Sequence, residues 1–157
     1  MQHSTKKGFS FGLTSGIITT LGLIVGLNSS THSTKVIIGG ILVIAIADAL
    51  SDAFGMHISE EAENQHSDKQ IWTATIATFF AKFIFALTFV VPILFLTLNT
   101  AIIVSIVWGL SLIAFFSYYI SRGQGVNKYK VIAEHLLIAV IVIVITHFVG
   151  SLVANLN

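Results

Sequence analysis

Five stretches of about twenty or more mostly apolar residues recur along the chain, and no other feature constrains its fold as strongly. They run roughly over 9–27, 35–57, 71–98, 101–120 and 131–153. A helix needs about 20 such residues to cross the hydrocarbon core of a bilayer. Inside that core each backbone N–H and C=O must find a partner within the segment, which makes helices of these runs. Water is a poor alternative, because 55% of the 157 residues are hydrophobic and 10% are charged, against about 25% charged in soluble domains. The expected fold is therefore an all-α integral membrane protein, one domain over 1–157 with five transmembrane helices in contact with the lipid bilayer. A formal charge of +1 without a dense basic run leaves nucleic acid no electrostatic footprint. With no cysteine, disulfides, thiolate ligands and cysteine nucleophiles are excluded.

Five spans put the two termini on opposite sides. Lys6 and Lys7 precede the first run, as in a signal peptide, but the run is longer than the usual 7 to 15 residues or so and no small-residue cleavage pattern follows, so it reads as a retained helix. The connections are 28–34, 58–70, Asn99-Thr100 and 121–130, none of them long enough for a second domain. Lys6, Lys7, Lys69, Arg122, Lys128 and Lys130 fall on the side of the N-terminus, and Lys35 alone on the other. Six against one places the N-terminus in the cytosol and the C-terminus outside. Gly8, Gly12 and Gly16, then Gly22 and Gly26, recur every four residues along the first helix. Such a face lets two backbones approach closely, either within one subunit or across a symmetric dimer.

The chemistry is concentrated in the second span and its polar extension. Residues four apart lie one above another on a helix, so Asp48, Asp52, Met56 and Glu60 form a column about 18 Å long. His57 and Glu61 form an adjacent row. A carboxylate near mid-bilayer costs about 2.5 to 3.5 kcal/mol even on the lenient insertion scale, and two on one face are harder still to keep ionised. A divalent cation offsets that cost: carboxylate oxygens suit hard ions such as Mn²⁺, while thioether and imidazole extend the range to Fe²⁺ and Zn²⁺. Protonation offsets it as well, and two close carboxylates titrate as a unit, which is what a proton-coupled carrier requires. The competing reading is structural, with Asp48 or Asp52 paired to Lys82 in the third span or neutral and bonded to hydroxyls.

Beyond the column, Glu60, Glu61, Glu63 and Asp68, with His57 and His66, make the cytosolic mouth acidic and raise the local cation concentration. Ser15, Thr14, Thr19 and Thr20 on the first helix are candidate oxygen donors, although hydroxyls in membrane helices more often bond their own backbone. His135 and His147 read as satisfied packing residues.

These residues resemble the vacuolar iron transporter family, which includes yeast calcium-sensitivity complementing proteins and plant nodulin-like members. Gly12-Leu13-Thr14-Ser15-Gly16-Ile17-Ile18-Thr19-Thr20-Leu21-Gly22-Leu23-Ile24-Val25-Gly26-Leu27 is similar to its first helix. Ala49-Leu50-Ser51-Asp52-Ala53-Phe54-Gly55-Met56-His57-Ile58-Ser59 is similar to its second, commonly Ala-x-Ser-Met-Ala-x-Gly-Glu-Tyr-x-Ser. Helix 3 with Pro92 and the last helix through Thr146-His147-Phe148-Val149-Gly150 resemble it more loosely. The resemblance implies a homodimer of five-helix subunits with cytosolic N-termini, moving Fe²⁺ or Mn²⁺ out of the cytosol in exchange for protons. Its departures are specific: the family's first-helix Asp falls on Ser15, its second-helix Met on Asp52 and the following Glu on Met56. The cytosolic metal-binding insert that many members carry between helices 2 and 3 is absent, so this chain is a short member and capture by that insert does not carry over.

The resulting expectation is a transporter, not an enzyme, for Fe²⁺ or Mn²⁺ with Zn²⁺ as a third candidate. It needs no prosthetic group; Asp48 and Asp52 bind the ion, Met56, Ser15 and His57 complete the site, and Glu60, Glu61 and Glu63 collect it. The membrane is the plasma membrane in a prokaryote or a vacuolar-type membrane in a eukaryote. An intramembrane aspartyl protease needs two carboxyls facing across one water, usually from two helices, whereas here both lie on one helix. A non-transporting scaffold or accessory subunit is the alternative.

Overall fold

The computed structural model describes residues 3–122 and 125–156. The expected domain 1–157 and the loop 121–130 extend onto residues 1, 2, 123, 124 and 157, which lie outside the described residues. The order of elements is α1 (His3–Thr31), α2 (Thr34–Ala62), α3 (Asp68–Thr88), α4 (Val90–Phe95), α5 (Leu98–Ser121) and α6 (Lys128–Ala154). With α3 and α4 taken as one span, these make five helices long and apolar enough to cross a membrane.

Helix ends run past the apolar stretches because polar side chains satisfy the terminal backbone groups. Thr31 Oγ1 donates to the Leu27 carbonyl, and the Ser33 hydroxyl accepts from the Val36 N–H at the start of α2. His32 and Ser33 alone remain as the turn, with His32 in the left-handed region at φ 49°. Asn127 caps α6 by accepting from the Tyr129 and Lys130 N–H groups. The third apolar stretch, expected as one helix, is two. Pro92 has no N–H for the Thr88 carbonyl four residues back, and the ladder breaks at Phe89, whose N–H turns to the Ala86 carbonyl.

Helix α1 lies at the centre and packs against α2, α3, α5 and α6. The glycines explain how. A Cβ on Gly12 would collide with the Thr78 carbonyl of α3, and one on Gly150 of α6 with the Gly26 carbonyl of α1. Only hydrogen fits in either place, and the backbones close on each other as membrane helices with small residues do. Thr78 Oγ1 reaches across this contact to donate to the Gly8 carbonyl at 3.2 Å. Of the two readings of the glycine run, contact within one subunit is the one observed. Leu13, Ile17, Leu21, Ile37, Phe89 and Ile113 are buried around α1. By contrast, α6 exposes Ile145, Phe148, Val149 and Leu152, the outward apolar surface expected of a chain solvated by lipid.

Candidate cation site

The close packing of α1 on α3 and of α2 on α3 brings residues from three helices to one point. On α2 the buried stripe Ala45, Ala49, Ala53 lets the neighbouring helices approach, and on α3 Ala74, Thr78 and Ala81 do the same. Ser15 of α1, Asp48 and Asp52 of α2 and Lys82 of α3 meet there. The Lys82 ammonium donates to Asp52 Oδ2 at 2.5 Å and to Ser15 Oγ at 2.9 Å, and forms an ion pair with Asp48 Oδ2 at 2.5 Å. Ser15 Oγ in turn donates to Asp52 Oδ2 at 2.6 Å. Lys82 is 1% exposed, whereas Asp52 and Asp48 are 21% and 30% exposed at one flank of the subunit. Two carboxylates and one ammonium leave the cluster at −1.

Burying the Lys82 charge is costly, and the arrangement holds because it faces two partly exposed carboxylates, one of which, Asp52, also accepts hydrogen bonds from Lys82 and Ser15. The pairing of Asp48 or Asp52 with Lys82, considered above as the competing reading, is therefore present for both aspartates. The same geometry sets these oxygens around the Lys82 ammonium within the membrane-length helices.

One helical turn beyond Asp52, Met56 is buried, and a turn further stands a second cluster. Glu60, fully buried, lies 2.5 Å from the Lys7 ammonium, which also donates to Glu63 Oε1 at 2.7 Å. His66 Nδ1 is 3.3 Å from Glu60 Oε2 and 3.7 Å from Glu63 Oε2. Glu60, Glu63 and His66 each present one ligand atom within 4.8 Å of the others, a spacing that fits a metal ion. The hydrogen bond from Lys7, then its positive charge, holds the Glu63 carboxyl below its ordinary value.

The single column expected along α2 is thus two clusters, each closed by a lysine from another helix. Sequence reasoning named Ser15, Asp48, Asp52, Lys82, Glu60, Glu63 and His66, and the structure gathers them in these two groups. Glu61 is exposed and outside both. His57 turns toward α3, where Nδ1 hydrogen-bonds Thr75 Oγ1 at 3.0 Å and the ring meets Trp72 edge-on, so it belongs to the packing of α2 on α3. Thr14 and Thr19 donate to their own backbone at Ser10 and Ser15, and His147 and His135 share hydrogen bonds with Ser29 and Ser117. Lys7 had no local signal.

Residues 7–71 match the family model described as the VIT family. Over α1, α2 and the start of α3 the chain is similar to that family. The matched stretch contains Ser15, Asp48, Asp52, Met56 and the whole Glu60 cluster, whereas Lys82 comes from beyond it. A comparison with curated proteins gives no match. Five membrane-length helices, together with this similarity, mark a multi-pass membrane protein. The short connection is confirmed as well: only residues 63–67 separate α2 from α3.

Proposed function

We propose that the chain transports a divalent transition metal, Fe²⁺ or Mn²⁺ with Zn²⁺ as a third candidate, out of the cytosol in exchange for protons. One observation carries the reading: two carboxylates and a hydroxyl from two helices converge on a cationic group in a region of the bundle where a charge is expensive. Asp48 and Asp52 hold the ion, Ser15 and Met56 complete its surroundings, and Glu60 and Glu63 with His66 collect it one step earlier. The excess of Lys and Arg beside the N-terminus supports a cytosolic position for the Glu60 cluster and hence the outward direction. Proton exchange is supported by the residual charge, since Lys82 balances only one of the two aspartates and a proton can balance the other after the metal leaves. Uptake of Fe²⁺, Mn²⁺ and Zn²⁺ into proteoliposomes, with and without a pH gradient, tests this. Gradient-dependent flux of at least one ion is expected. No flux of any of the three from a folded preparation would favour the scaffold reading, for which the Lys82 pairing itself speaks, because two aspartates and a lysine also make a complete structural ion pair.

The functional unit in this reading is a homodimer. Ala47, Ser51 and Gly55 form an exposed stripe of small residues along α2, beside the partly exposed Asp48 and Asp52. A second subunit on that face would shield both carboxylates from lipid and allow close helix approach. A Cβ on Gly55 meets nothing within 4 Å inside the subunit, so Gly55→Leu should fold normally yet shift the mass in detergent from two subunits to one. An unchanged dimer would place the interface elsewhere.

A further inference from the structure

We propose that the Lys82 ammonium is a tethered occupant of the cation site, so that a divalent ion binds Asp48, Asp52 and Ser15 only after the ammonium has left them. The inference rests on the reading of that site as a transport site and adds the residue that controls access to it. Lys82 Nζ donates hydrogen bonds to Asp52 Oδ2 and Ser15 Oγ and lies in ion-pair contact with Asp48 Oδ2, so one ammonium sits against three oxygens. Two carboxylates and a hydroxyl are also the donors that a hard divalent cation takes, at metal–oxygen distances of about 2.0–2.6 Å. The Lys82 nitrogen stands 2.5–2.9 Å from the same atoms. Two positive centres cannot share that space, so binding of one excludes the other.

The stem of Lys82 is built to reach this point. A Cβ on Gly16 would stand 3.0 Å from Lys82 Cα and 3.1 Å from its Cγ, so the glycine keeps open the slot in which the stem runs between α1 and α3. Four flexible carbons allow the head to be withdrawn without moving α3. An ion that binds only the fraction of molecules whose site is free has its affinity reduced by that fraction. With the ammonium in place nine-tenths of the time or more, the penalty is about tenfold or greater.

Mn²⁺ binding to the full chain in detergent, read from the paramagnetic signal of the free ion, tests this without relying on transport. Lys82→Met should bind Mn²⁺ about tenfold more tightly than the parent or better, and Lys82→Arg, which keeps the charge, should not. Lys82→Gln keeps a hydrogen-bond donor for the aspartates and decides the question if the Met variant fails to fold. The gain must vanish when Asp52→Asn is added, since a gain that survives lies at another site and overturns the proposal. Neutral variants that bind no more tightly than a parent that does carry metal in proteoliposomes overturn it and leave the transport reading standing. Absence of both binding and flux in every variant overturns the two together.

Discussion

Asp52→Asn is expected to lower divalent-cation flux by about 100-fold or more while the chain still folds. Asp52 is the centre of its cluster, accepting hydrogen bonds from both Ser15 and Lys82. Asparagine keeps the shape and an acceptor oxygen but changes the local charge from −1 to zero, leaving one aspartate already balanced by one lysine. A unit charge about 4 Å from another at an effective dielectric of about 20 is worth about 4 kcal/mol, and a divalent ion doubles that before hydration is counted. Retaining half of the doubled figure, about 4 kcal/mol, exceeds the roughly 2.7 kcal/mol that corresponds to 100-fold. Asp48→Asn should cost less, because Asp48 is the more exposed aspartate and lacks the bond from Ser15. The measurement is the initial rate of Mn²⁺ uptake per reconstituted protein; parental flux in both variants would remove the aspartates from the site.

Gly12→Leu should instead destabilise the subunit itself. The first atom of the new side chain would collide with the Thr78 carbonyl and come within 2.9 Å of Thr78 Cα, and both are backbone atoms that no rotamer change can move. Overpacking in a core commonly costs about 1–3 kcal/mol, and the upper end applies where backbone must yield. A fall of about 10 °C in the thermal transition in detergent is expected. Because Gly16 and Lys82 meet one turn further along the same contact, displacement of α3 would also pull the ammonium from its oxygens. Gly39→Leu is the control: a Cβ there meets nothing within 4 Å, and its transition should stay close to that of the parent.

Periodicity made much of this molecule legible in advance, and its limits have physical causes. Apolar length defines spans because lipid sets the required thickness, and the i, i+4 rule placed Asp48 and Asp52 on one face. Neither rule identifies what a face meets. The glycine run was equally suited to a neighbouring subunit or to α3, and only the Thr78 and Gly26 carbonyls decide it. His57 had the spacing of a ligand, yet Thr75 and Trp72 hold it. Lys7 and Glu60 are far apart in the chain, so their pairing depends on how α1 lies along α2. Apolar counting stops where polar residues begin, so α1, α2, α5 and α6 run past it, whereas the third apolar stretch outlasts its helix, which ends at Phe95.

The two lysines also bear on how the protein is made. A counter-ion carried on the chain is present in every buffer and at every stage of synthesis, whatever the supply of free ions. With Lys82 on one carboxylate pair and Lys7 on the other, each pair of acids on α2 and its extension meets the bundle with half of its charge already neutralised by the chain itself.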